Sequence, residues 1–166
     1  KEFQKKIIDK GWWLMSWPKE YGGDDAPISR QLVYSEEMAY HNAPANQPQG
    51  NIGGAIMLHG TDWAKENFLQ GMRDNTIDWA QGFSEPNAGT DLASLQTRAV
   101  EDGDDFVVTG QKIWSSGSHF ANWYHVLART DPSAPKHRGI TYLMMQLKND
   151  QGEQMPGITL RPLYDM

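Results

Sequence analysis

The hydrophobic period of this chain changes once, near residue 76, and that change limits the fold more than any other feature. Before it, apolar residues recur at helical spacing; after it, they alternate as they do along a strand. Phe3, Ile7 and Ile8 form one helical stripe that ends before Gly11, a C-cap candidate. Residues 12–18, with three Trp, and the following Tyr21-Gly22-Gly23 read as an aromatic loop. A second helix is expected to begin near Pro27 to Ser29. Its Leu32 and Val33 repeat seven residues later as Ala39 and Tyr40, and Pro44 ends it. After a polar loop at 42–50, residues 52–59 read as a small-residue helix stopped by Gly60. Thr61 then caps a helix with Ala64, Phe68 and Leu69 on one face, closing at Gly71.

Beyond the switch, Ile77, Trp79, Gln81 and Phe83 alternate. Residues 97–101 and 104–109 flank Asp102-Gly103, a strong hairpin signal. Further extended runs are expected at 112–116, 123–130, 139–147 and 157–163, separated by loops. The fold class is therefore α+β: an N-terminal all-α helical domain over residues 1–77, then an antiparallel barrel or sandwich over 78–166.

Seven Trp, six Tyr and five Phe are too many rings for a chain that cannot bury a core, which excludes disorder. The absence of Cys excludes a disulfide scaffold, a thiolate zinc site and cysteine catalysis, and makes the cytoplasm the default compartment. Apolar runs such as 55–58 and 140–145 fall far short of the roughly 18 residues of a membrane span. Net charge is −6, with 8 basic and 11 acidic residues in 1–80 and 7 and 10 in 81–166. Each half is thus −3, with no basic face for nucleic acid, and a phosphate-bearing ligand must be held by amides, hydroxyls and isolated cations. The chain opens at Lys1 inside an amphipathic pattern and ends at Tyr164-Asp165-Met166 just after an extended segment, and on that ground it reads as a fragment.

No G-x-G and no G-x-x-x-x-G-K occurs, so a Rossmann fingerprint and a phosphate loop are both absent. The five His show no zinc spacing, no metal is expected, and the acidic residues around Gly103 read as a solvated hairpin tip. Gly82-Phe83-Ser84-Glu85-Pro86 approaches a nucleophile elbow, but Pro86 replaces the second Gly and cannot make that turn. Glu85 and Asp91 could serve as an acid/base pair, though carboxylates beside such a turn more often bond to local backbone. The informative segment is Gln81 to Leu95, which leaves a strand, turns on Pro86 and Gly89, and offers hydroxyls and small-residue amides to a polar ligand. About twenty residues on, Gln111-Lys112-Ile113-Trp114-Ser115-Ser116-Gly117 sets a Trp beside two more hydroxyls.

Ser84-Glu85-Pro86-Asn87-Ala88-Gly89-Thr90-Asp91 resembles the first signature of the acyl-CoA dehydrogenase family, and Gly110-Gln111-Lys112-Ile113-Trp114-Ser115-Ser116-Gly117 resembles its second. Residues 17–23, the Glu36-Glu37 helix, Gly60-Thr61 and residues 123–130 also sit where the family has similar text, so the likeness covers nearly the whole chain. It implies an N-terminal helical domain followed by an antiparallel β-barrel middle domain, with the family's C-terminal helical bundle absent. It further implies FAD as cofactor and α,β-dehydrogenation of an acyl-CoA substrate, with hydride passing to flavin N5 and electrons then to an electron-transfer flavoprotein. The full-length protein is expected to be a homotetramer or heterotetramer, placed in a bacterial cytoplasm, or in the mitochondrial matrix if eukaryotic.

Carried over residue by residue, the resemblance makes Gln81, Gly82, Phe83, Ser84, Gly89, Thr90, Trp114, Ser115 and Ser116 cofactor-binding. Thr90 also stands for the Ser that approaches the acyl-CoA. Three positions depart from the family: Thr90 for Ser, Ser116 for the usual Thr, and Ser115 where Ile is common. The catalytic base belongs to helices that this chain lacks, so no catalytic residue is assigned, and Glu85 is structural in this reading. The alternatives are an acyl-CoA oxidase or flavin monooxygenase on the same fold, a non-catalytic subunit of a heteromeric complex, and a Ser84 hydrolase. The residues 17–23 and the Gln-Gly-Phe-Ser form of the first signature look most like bacterial branches acting on unusual acyl groups.

Overall fold

A computed structural model describes residues 2–44 and 50–163; part of the 42–50 loop and the last three residues lie outside them. The chain divides into two compact units, residues 1–77 and 78–166.

In the first unit, α1 (Glu2–Asp9) buries Ile7, and the chain turns on Gly11 at φ +69°, which suits a residue without Cβ. The aromatic stretch after it is core. Trp13, Leu14, Met15 and Trp17 are all buried, and the Trp13 indole N–H donates to the Met72 carbonyl at 3.1 Å. α2 (Ile28–Tyr40) starts after Pro27. Its apolar repeat finds no cover: no α2 residue is buried, and Leu32, Val33 and Tyr40 are exposed. α3 (Gly50–His59) puts Ile52 and Ile56 into the core.

Thr61 caps the next helix as its type predicts, its hydroxyl oxygen accepting from the Ala64 N–H. That helix runs as α4 (Asp62–Ala64), a π-helical turn over Lys65–Leu69, and α5 (Gln70–Arg73). It passes through Gly71, so Gly71 does not close it. Instead the glycine lets the Ile77 side chain lie where a Cβ would be, 2.3 Å from Ile77 Cδ1. The π turn lets Phe68, Leu69 and Met72 all face inward.

The second unit holds a five-stranded sheet: β1 (Trp79–Gly82), β2 (Arg98–Asp102), β3 (Asp105–Thr109), β4 (Trp123–Arg129) and β5 (Ile140–Gln146). The β2–β3 and β4–β5 pairs are antiparallel hairpins, the first turning through Gly103. The sheet as a whole is mixed, where an antiparallel one was expected. β1 lies parallel to β4, Trp79 opposite Trp123 through Gly82 opposite Val126, and β2 meets the end of β4 in parallel at Arg98 and Arg129. The cause lies in residues 83–97, which leave the sheet before β2, so β1 finds its neighbour only when the chain returns at β4. Two expected strands are absent: residues 112–116 form turns and irregular backbone, and 157–163 add no strand.

β4 is central and its alternation sorts the sheet. Tyr124 and Val126 pack on one face with Ala80, Ala121 and Leu147, flanked by Leu143, Met145 and Ile158. The neighbouring positions of β1, β4 and β5 carry rings that meet edge-on or tilted: Trp79, Phe83, Trp123, His125 and Tyr142, at centroid distances of 5.5 to 6.2 Å. Among the described residues no helix is long and apolar enough to cross a membrane.

Candidate functional site

The two motif segments meet where β1 ends. The Ile113 N–H donates to the Ser84 carbonyl at 2.9 Å, joining the first segment to the second. Beside this bond, Lys112 Nζ donates to the Phe83 carbonyl at 3.1 Å and to Glu85 Oε1 at 2.9 Å. Both side chains are 7% exposed, so this is a buried ion pair.

Glu85 does more than pair with Lys112. Its two carboxylate oxygens accept from the backbone N–H groups of Gln96 at 2.6 Å and Thr97 at 2.8 Å, so it ties the far end of the loop back to its start. Burial by itself would push this carboxyl up, but the hydrogen bonds from Thr97, Gln96 and Lys112 outweigh it and hold it down to about 2. Glu85 is thus an ionised clasp with its oxygens engaged, not a free acid or base. Within the loop a tight turn at Pro86-Asn87 is closed by mutual bonds between Glu85 and Ala88. Arg129, at the end of β4, donates to the carbonyls of Ala93 and Leu95 and steadies the loop's second half. Asp91 is exposed and held in its ionised form by Lys136 and Ser94.

The second segment follows a different geometry from the strand expected of it. Trp114 has φ +60°, a left-handed conformation rare for a bulky residue and costing on the order of 1 kcal/mol. The residue is 70% exposed. Ser115 Oγ lies 2.6 Å from the Tyr124 hydroxyl, and the Ser116 N–H donates to the Trp114 carbonyl at 3.0 Å. Tyr124 reaches Ser115 because Gly82 lacks a side chain: a Cβ there would fall 2.3 to 2.4 Å from the Tyr124 ring and hydroxyl.

Gln81, Gly89 and Thr90 are exposed, Gly82 is buried, and Phe83 and Ser84 are half-buried. Phe83 packs its ring edge-on against His125 at 5.5 Å. Among the described residues the hydroxyls of Ser84, Thr90 and Ser116 have no bonded partner, so Ser84 lacks the histidine hydrogen bond that a triad would require. The donor set therefore fits an anionic or carbonyl-bearing group. Three hydroxyls stand open, and both carboxylates of the first motif are neutralised by Lys112 and Lys136, so they do not repel phosphate. No cluster of three or more His, Asp or Glu able to hold a metal occurs among the described residues.

Sequence reasoning passed over Lys112, Tyr124, His125 and Arg129 as individual contributors. His125 is buried beneath the loop with Nδ1 2.7 Å from the Tyr142 hydroxyl, and burial lowers it to about 4 and pushes Tyr142 up to about 12. The folded ring thus stays neutral while an unfolded His takes up its proton near the ordinary 6.5. Between those values the unfolded chain binds more protons, so stability falls as pH drops from about 6.5 to about 4, by on the order of 2 kcal/mol. Urea unfolding at a series of pH values is expected to show this slope for the full-length protein, and His125→Gln to flatten it.

The chain is thus a helical unit followed by a mixed-sheet unit in which two hydroxyl-bearing turns are clasped at the end of a strand. Residues 1–76 match the family description "Acyl-CoA dehydrogenase, N-terminal domain" and residues 80–166 match "Acyl-CoA dehydrogenase, middle domain". The chain belongs to the acyl-CoA dehydrogenase family. It is 36% identical over 167 residues to acyl-CoA dehydrogenase IpdE1 of Mycobacterium tuberculosis, covering 99% of this chain and 42% of that protein. It is 43% identical over 139 residues to FadE26 of the same organism, covering 81% and 35%. Among solved structures, the Tcur3481-Tcur3483 steroid ACAD superposes with a TM-score of 0.79 at 42% identity, covering 87% of this chain and 38% of that one. The ChsE4-ChsE5 complex from Mycobacterium tuberculosis gives 0.78 at 41% identity, covering 85% and 38%. The chain therefore spans about two fifths of the length of these relatives.

Proposed function

We propose that the full-length protein is an FAD-dependent dehydrogenase that forms a double bond between Cα and Cβ of an acyl-CoA thioester. The observation that carries this reading is the junction of the two motifs, Ser84 to Ile113 and Glu85 to Lys112, which brings open hydroxyls and Trp114 to one end of β1. The amides and hydroxyls of Gln81, Gly82, Phe83, Ser84 and Gly89, with Ser115 and Ser116, would hold the flavin. Thr90 serves both the cofactor and the acyl-CoA. Trp114 is exposed and would offer its ring to the isoalloxazine. When bound, FAD supplies the acceptor for the hydride leaving Cβ, while the α proton goes to a carboxylate base. Glu85 and Asp91 do not serve as that base, since both are engaged with lysines. An electron-transfer flavoprotein would be the electron acceptor.

The likeness to a steroid ACAD and to the ChsE4-ChsE5 complex supports two finer readings: a bulky acyl group such as that of a steroid, and assembly with a second, related chain. Anaerobic addition of such an acyl-CoA to the full-length protein, expressed with its partner chain, is expected to bleach the flavin spectrum, with slow recovery in air. Rapid recovery would favour an oxidase, and a colourless protein that stays colourless with added FAD would favour a non-catalytic subunit. Trp114→Ala is expected to raise the FAD dissociation constant about fivefold, the loss of one stacked contact. Unchanged flavin content and spectrum would remove Trp114 from the site.

A further inference from the structure

We propose that Tyr124 is a positioning residue for the flavin-facing turn 114–116, acting through Ser115. The inference rests on the flavin reading and adds to it a coupling between three parts of the chain. Trp114 is held in a left-handed conformation and is largely exposed, so its own packing does not keep it there. Neighbours must do so. Before it, the Ile113 N–H is bonded to the Ser84 carbonyl. After it, the Ser115 side chain is bonded to the Tyr124 hydroxyl at 2.6 Å.

Tyr124 is well suited to anchor that side. It lies inside β4, between Ala80 of β1 and Met145 of β5 in register, and its ring belongs to the buried cluster with Val126 and Leu147. Its hydroxyl escapes the cluster only over Gly82, where any Cβ would collide with it. A phenol fixed at its ring has little freedom, so a short bond from it transmits the position of the sheet to residue 115. Gly82, Tyr124 and Ser115 thus form one device: the glycine opens the way, the tyrosine spans it, and the serine receives it. An Ile at 115, the residue common in the wider family, has no hydroxyl to complete the device, so this coupling belongs to chains that carry Ser there.

The test uses the full-length protein, with wild type, Tyr124→Phe, Ser115→Ala and the double variant compared. Tyr124→Phe keeps the ring in the core and removes one oxygen, so folding is preserved. FAD affinity of the deflavinated protein and circular dichroism of the bound flavin are the primary readouts, with thermal melting alongside. Each single variant is expected to weaken FAD binding about three- to tenfold and to change the flavin dichroism, as loss of one hydrogen bond does. The double variant should be no weaker than either single one. If Tyr124→Phe lowers the melting temperature but leaves FAD affinity and dichroism unchanged, Tyr124 is merely structural and the proposal fails. If the effects of the two single variants multiply, the residues act separately and it fails as well. A wild-type protein that takes up no FAD would instead overturn the flavin reading on which the proposal stands.

Discussion

Replacing Lys112 by Met is expected to destabilise the second unit by about 3–5 kcal/mol, because it leaves the Glu85 carboxylate buried without its cation. Urea unfolding of the full-length protein, followed by tryptophan fluorescence, measures the loss. Lys112→Arg keeps the charge and should recover part of it, although the guanidinium does not reproduce a single Nζ shared by Glu85 and the Phe83 carbonyl. Combining Lys112→Met with Glu85→Leu removes the stranded charge but also deprives the Gln96 and Thr97 N–H groups of their acceptor, so recovery should be incomplete. Acid acts on the same clasp. Its folded carboxyl titrates at about 2 against an ordinary 4.5, so its stabilisation is fully present above about pH 4.5 and is lost as pH falls toward 2. A loss below about 1 kcal/mol in Lys112→Met would show that water reaches the carboxylate and that the pair does not clamp the motifs.

Gly82→Ala is expected to carry the second large effect. Two terms oppose each other here. Alanine is favoured over glycine in a strand by roughly 0.5–1 kcal/mol, whereas a methyl group 2.3 Å from the Tyr124 ring forces that ring or the backbone to move, typically at 1–3 kcal/mol. At this distance neither atom has room, so the clash should win and melting temperature should fall. Adding Tyr124→Leu, which withdraws the obstructing ring atoms, should return part of the loss. An unchanged melting temperature in Gly82→Ala would show that β1 and β4 slide apart at no cost.

Local chemistry made many element boundaries legible. Gly11, Pro27, Thr61 and the Asp102-Gly103 turn act within a few residues of themselves, and each stands where its backbone preference requires. Partnership over distance was not legible. Nothing in the alternation of residues 79–83 says that the neighbour is β4 and the pairing parallel, because a strand's pattern encodes its faces and not its partner. Gly71 misled because glycine also serves close packing inside a helix, as it does beside Ile77. The seven-residue repeat of α2 marks a face, and in the described residues that face stays exposed. At the candidate site, the motifs identified which segments carry the hydroxyls. The clasp of Glu85 with Lys112 and the reach of Tyr124 over Gly82 depend on contacts 27 to 42 residues apart, which motif text does not contain.

The parallel pairing of β1 with β4 also orders events in time. The two hairpins close over short loops, but Asp78 meets Asn122 across 44 residues, a contact whose chain-entropy cost is met only when the excursion between them is largely in place. Both halves of the candidate site are hung on that excursion, Ser84 near its beginning and Trp114 near its end. They come together only after the sheet has closed. A molecule that needs both turns has nothing to bind in the earlier, partly paired chain, so it should leave the refolding rate almost unchanged and act chiefly by slowing escape from the native state.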